Sequence, residues 1–142
     1  MATITRFEDL EIWKLARILT NDFDLLTDTT SLAKDYELRS QMSRSSGSVM
    51  DNIAEGFERF SNKEFTQFLV IAKGSNGEVR SQLYRAYDRQ HISDNILEEK
   101  LHNSHILGSK ISSFINYLRS SSYKSKPTQH PTSTIEPPTS AL

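Results

Sequence analysis

The chain has 142 residues, 36% of them apolar and 25% charged, with a net charge of −1 and no cysteine. That is the size of one domain with a modest core, and the charge balance gives no global attraction to nucleic acid or acidic membranes. Without cysteine there are no disulfides, thiol nucleophiles or thiolate metal sites, which fits a reducing compartment.

The N-terminal MATITRFEDLEIW carries acids where a secretory signal needs an apolar run, and no window approaches about 18 unbroken apolar residues. A cytoplasmic protein with no membrane partner is expected. Thr5 and Glu8 stand at capping-box spacing, so a first helix is expected from residue 8 to 28. Ile12, Leu15, Leu19, Phe23 and Leu26 recur on one face of it. A second helix over 34–59 places Leu38, Met42, Val49, Ile53 and Phe57 together, and the small residues SRSSGS at 43–48 let another backbone come close. Residues 52–65 read NIAEGFERFSNKEF. SNKE is a second capping box, with Ser61 as cap and Glu64 at N3, so this stretch is a helix–helix joint. The third helix is expected over 62–91, with Phe65, Phe68, Ala72, Val79, Leu83 and Ala86 inward. Gly74 and Gly77 each weaken it by about 1 kcal/mol relative to alanine, and are expected to mark a close packing contact. A fourth helix over 95–120 carries Leu97, Leu101, Ile111, Ile115 and Leu118. No segment alternates with period two long enough to make a strand. All four prolines lie within the last 16 residues, so the first 126 are open to helix. The Ser/Thr/Pro-rich segment 120–142 is expected to be a disordered tail. The expected fold is all-α: an antiparallel up-down-up-down four-helix bundle over residues 1–119.

On a wheel of about 100° per residue, Gln41, Ser48, Asn52, Glu55 and Arg59 form a stripe beside the apolar face of the second helix. Glu55 could serve as an acid or base, but no histidine or aspartate joins it locally to supply a second group with a separated pKa. A partly buried polar seam is expected instead, fixing helix register or a subunit contact, with Glu55 and Arg59 paired at i,i+4. His102 and His105, with Glu98 four residues before His102, fall short of the three or four ligands of a zinc site. There is no phosphate loop, nucleophile elbow or HExxH. The expectation is a protein with no catalytic residue, metal or cofactor; an enzyme centred on Glu55 or on the His102/His105 pair is the second alternative. Lys73, Arg80, Tyr84, Tyr87 and His91 gather on a flank of the third helix. Cations interleaved with aromatics suit phosphate contact and base stacking, and equally suit a flank packed against another subunit. Charge is polarised, −4 over residues 1–38 and +2 over 39–89, which favours head-to-side self-association or a basic face.

The block at 40–79, SQMSRSSGSVMDNIAEGFERFSNKEFTQFLVIAKGSNGEV, resembles the signature of the 23S ribosomal RNA intervening-sequence proteins, also called the four-helix-bundle protein family. FEDLEIWKLA at 7–16 matches that family's opening, and the resemblance spans residues 7–119. It implies an antiparallel four-helix bundle that assembles as a ring, commonly a homopentamer, with no established enzyme activity. Members were first noticed encoded within insertions in ribosomal RNA genes. Related proteins are accessory factors of diversity-generating retroelements and bind a reverse transcriptase and nucleic acid through basic surfaces. The expected function is a non-enzymatic oligomeric scaffold or accessory factor that touches RNA, DNA or a nucleic-acid enzyme such as a reverse transcriptase. The first alternative is a purely structural protein-interaction bundle with no nucleic-acid role.

Overall fold

Four α-helices joined by short turns make up the described residues, 3–122, of the computed structural model: α1 (Glu11–Thr29), α2 (Tyr36–Phe57), α3 (Asn62–Asp88) and α4 (Asp94–Ser122). Each helix packs on its neighbour in the chain, and α4 closes back on α1. With connections this short, that is the up-down-up-down bundle. No strand occurs among the described residues, and none of their helices is long and apolar enough to cross a membrane.

The core follows the expected stripes with small rotations. Ile12, Leu19, Phe23 and Leu26 of α1 are buried, with Ala16 in place of the half-buried Leu15. All five expected α2 residues are buried. In α3, Leu69 is buried and Phe68 only half so; in α4, Leu107 and Phe114 enter the core while Leu101 stays at its edge. Phe57, Phe65 and Phe114 stack through the centre, with centroids 5.7 and 5.5 Å apart. Such aromatic contacts add about 0.5–1.5 kcal/mol each beyond area burial.

Gly56 explains the glycine of NIAEGF. A Cβ there would lie 2.6 Å from the Phe68 Cβ and 3.0 Å from Phe65 Cδ1, so only glycine lets the end of α2 pass the start of α3 this closely. Gly74 and Gly77 do not mark a packing contact within the chain. A Cβ on Gly74 meets nothing within 4 Å, and one on Gly77 meets only the Arg80 guanidinium at 3.7 Å. Gly74 is exposed on the outward side of α3, and Gly77 is half-buried beside Arg80. In the SRSSGS stretch, Ser45 and Ser46 are buried, and Thr20 of α1 donates to the Ser46 carbonyl at 3.2 Å.

The helix ends show where local signals held. Ser61 caps α3: its hydroxyl accepts from the Glu64 N–H at 3.2 Å and lies 3.3 Å from the Glu64 carboxylate, to which it donates. The Thr5/Glu8 box does not form. Phe7–Asp9 is a 3-10 turn instead, and α1 starts only at Glu11, after the fully buried Leu10 in extended backbone. Burial of Leu10 sets the entry of the chain, and Arg6 holds Glu8 and Asp9 at 3.6 and 3.7 Å.

α3 stops at Asp88, three residues short of expectation. Gln90 takes φ 63°, the His91 N–H donates to the Ala86 carbonyl and the Gln90 N–H to the Tyr87 carbonyl, both at 2.9 Å. That is the Schellman termination, here without its usual glycine. Ser93 then caps α4 by accepting from the Ile96 N–H at 3.3 Å. α4 runs to Ser122, so residues 120–122, assigned to the tail from sequence, are helical. The rest of the expected disordered tail lies outside the described residues.

Candidate functional site

Two polar grooves flank α3, one against α2 and one against α4. The first is lined by Gln41 and Ser48 of the expected seam, with Asn52 bonded to Ser48 beside it. Asn52 Nδ2 donates to the Ser48 carbonyl at 2.8 Å and to its Oγ at 2.9 Å, and Ser48 Oγ meets Ser75 Oγ of α3 at 2.8 Å. Arg85 donates to Gln41 Oε1 at 2.6 Å, and Gln82 Nε2 to Ser45 Oγ at 3.0 Å. The Ser48–Ser75, Gln41–Arg85 and Ser45–Gln82 bonds cross from α2 to α3 and fix their register. They border a groove of about 560 Å³ that also takes in Arg44 and Glu78. Gln82 Oε1 is buried there with no hydrogen-bond partner among the described residues.

Glu55 does not belong to this network. Its side chain is 56% exposed and pairs with Arg59 at 2.9 Å, while the Arg59 guanidinium also lies 4.8 Å over the Phe68 ring. The expectation that Glu55 is partly buried is corrected for the single chain. The stripe turns outward at its C-terminal end, where water screens the pair to a contribution of about 1 kcal/mol or less. Glu98, His102 and His105 are all exposed, and no group of three or more His, Cys, Asp or Glu among the described residues is placed to hold a metal ion.

The second groove, about 380 Å³, lies between α3 and α4. Lys73, Asn76 and Arg80 line it from α3; His105, Gly108, Ser109 and Ser112 line it from α4. At its base Asn76 and Ser104, both fully buried, bind each other twice: Asn76 Nδ2 donates to the Ser104 carbonyl and Ser104 Oγ to Asn76 Oδ1, each at 2.9 Å. Ser104 Oγ also accepts from Arg80 Nη1 at 3.3 Å. A buried, satisfied polar network of this kind is rigid, so it holds the Arg80 guanidinium in place. Gly108 makes the room, since a Cβ there would sit 3.1 Å from Asn76 Nδ2.

The five residues expected to form one basic and aromatic flank therefore divide. Lys73 and Arg80 share the α3–α4 groove, and Tyr84 is exposed on the outward ridge. Tyr87 is half-buried, and its hydrogen bond to the Asp94 carboxylate holds its phenol above the usual pKa. His91 leaves the flank altogether. The left-handed turn at Gln90 swings it back toward the start of α2, where Nε2 lies 2.9 Å from Asp35 Oδ2 and Nδ1 2.7 Å from Ser31 Oγ.

Asp35 is the centre of that clamp. Its Oδ1 accepts from the Leu38 N–H at 3.3 Å to cap α2, and Arg89 donates to its Oδ2 at 2.9 Å. The hydrogen bonds from Arg89 and then His91 lower its pKa to about 2. Ser31, His91 and Asp35 resemble a nucleophilic relay in order alone. Arg89 occupies the same carboxylate oxygen, and the other oxygen holds a helix start, so the cluster ties the α3–α4 turn to the α1–α2 turn. Sequence reasoning missed both this clamp and the Asn76–Ser104 pair, whose members are 56 and 28 residues apart. The available signals were an aspartate just ahead of an apolar stripe and an asparagine at an inward position of α3.

No individual curated protein matches the chain. Residues 8–113 match the family model described as 23S rRNA-intervening sequence protein, a span that runs from the first 3-10 turn through most of α4. With three-quarters of its length covered and the four-helix bundle in place, the chain belongs to the 23S rRNA-intervening sequence protein family.

Proposed function

We propose that this chain is a non-enzymatic, self-associating helical bundle that serves as a scaffold or accessory factor for RNA, DNA or an enzyme acting on them. The observation that carries self-association is the set of large apolar side chains left outside a closed core. Val70 and Ile71 on α3 are 47% and 51% exposed, and Ile18, Leu25, Phe60 and Tyr84 are exposed as well. Val70, Gly74, Gly77 and Tyr84 fall within a narrow arc of α3 at about 100° per residue. Two glycines and Ser81 between Val70 and Tyr84 keep this ridge low enough for a second helix to come close, and large exposed apolar side chains mark an interface. The polarised charge of the two chain segments favours a head-to-side contact that closes into a ring; a homopentamer is the expected assembly.

The nucleic-acid part is supported by the α3–α4 groove, whose lining residues include no carboxylate. A salt series separates this reading from a purely structural bundle. If strands of RNA or DNA are held through phosphates, log K falls linearly with log salt, with a slope of about −0.7 to −0.9 per contact. Absent or salt-independent binding leaves the purely structural bundle. Val70→Lys should reduce the assembly size while leaving helicity unchanged; an unaltered assembly would count against this ridge of α3 as the contact.

A further inference from the structure

We propose that the α3–α4 groove is a built site for a single phosphate group. The inference rests on the reading of this groove as a phosphate contact and names the group and the donors. Among the described residues, no carboxylate lies within ion-pair distance of Lys73, Arg80 or His105. That differs from the α2–α3 groove, where Glu37 stands 3.5 Å from Arg85 and Glu78 joins the lining. Cationic side chains brought together without a counter-charge are suited to an anion from solution.

The donors fit a tetrahedral oxyanion better than a flat carboxylate. Arg80 carries five N–H donors, and Ser104 engages only its Nη1. Arg80 lines a groove together with Lys73, His105, Ser109 and Ser112, so its other N–H groups share that groove with an ammonium, an imidazole and two hydroxyls. A carboxylate has two oxygens to satisfy, whereas a phosphate group presents three acceptor oxygens and up to two charges. Arginine is the residue suited to a forked contact and lysine to a point charge. The Asn76–Ser104 pair fixes Arg80 before any ligand arrives, so little side-chain entropy is lost on binding. At about 380 Å³ the groove is near the lower end of the ~300–1,000 Å³ typical of small-molecule pockets. It holds one phosphate and part of what that phosphate is attached to.

The test uses the full chain, amide NMR and two ligands, inorganic phosphate and a ten-nucleotide single-stranded RNA. Phosphate should shift the amides of residues 73–80 and 105–112 saturably at constant ionic strength. Arg80→Gln and Lys73→Gln should each weaken binding about tenfold, and Lys63→Gln, an exposed lysine at the start of α3, should leave it unchanged. Lys73 is exposed and has no ion pair among the described residues, so its variant remains informative even if Arg80→Gln loses stability. RNA binding that phosphate competes away and that both variants weaken assigns the site to a nucleic-acid strand. Saturable phosphate binding with RNA insensitive to the variants assigns it to a free phosphate or small ester. Both results support the site. Shifts that spread over the surface without saturating, or variants that bind phosphate as well as the parent, overturn it. If RNA still binds in that case, the nucleic-acid part of the proposed function stands while this groove does not.

Discussion

Alanine at Gly56 and at Gly74 should move stability in opposite directions, although both glycines sit within helices. At Gly56 the new Cβ would lie 2.6 Å from the Phe68 Cβ and 3.0 Å from Phe65 Cδ1. Carbon atoms pack best at about 3.5–4.0 Å, so the contact must open by about 1 Å. The Phe68 Cβ is fixed to the α3 backbone, and no rotamer change moves it. Relief requires shifting α3 against α2, which also disturbs the Phe57–Phe65–Phe114 stack. Overpacking of this kind costs about 1–3 kcal/mol, against at most about 1 kcal/mol gained in helix propensity. The expected net loss is about 1–2 kcal/mol, a fall in Tm of about 4–8 °C for a domain of this size. At Gly74 nothing lies within 4 Å of the new Cβ, so alanine should add about 0.5–1 kcal/mol of monomer stability. Urea unfolding followed by circular dichroism at 222 nm, with Val70→Lys as the common background so that the ridge holding Gly74 is uncovered and with protein concentration held fixed, reads both. A Gly56→Ala variant as stable as the parent would refute the account of how α2 meets α3.

Three further outcomes follow from the site geometry. Asp35 has a folded pKa of about 2 against an ordinary 3.8; a depressed carboxyl pKa gives stability that is present above about pH 4 and lost as pH falls through about 2. The full shift corresponds to about 2 kcal/mol, reduced toward about 1 by partial solvent screening. Urea midpoints of the parent and Asp35→Asn should therefore differ at pH 6 and converge near pH 2, and a constant gap would contradict the clamp. Glu55→Ala should change stability by less than about 1 kcal/mol, because its ion pair with Arg59 is exposed; a larger loss by thermal melting would mean that Glu55 is covered in the assembly. Gln90→Gly should stabilise the chain by about 0.5–1 kcal/mol, because φ 63° strains a residue with a Cβ, and chemical denaturation showing a loss would speak against that turn.

The helices were legible because period and punctuation agreed. Apolar residues recur at steps of three and four, and Ser61 and Ser93 start α3 and α4 where capping residues stand in the sequence. Where the two signals conflicted, tertiary burial decided. Leu10 is fully buried, and the chain gives up the Thr5/Glu8 box for a 3-10 turn and a later helix start. A Schellman stop on glutamine gives no glycine to read, so α3 ends earlier than its stripe suggests and His91 changes partners. The site was only half legible. A wheel placed Lys73 and Arg80 on one flank of α3, but one helix says nothing of the helix facing it, so His105, Gly108 and Ser109 were not joined to them. The Asn76–Ser104 pair that orders Arg80 depends on the packing angle of α3 and α4, which no local pattern carries.

Self-association is the claim on which the scaffold function depends, and sedimentation equilibrium of the full chain at micromolar concentration tests it most directly. A single species at an integral multiple of 16.2 kDa is expected, with five copies in it. A species that stays at 16.2 kDa across that range would contradict it.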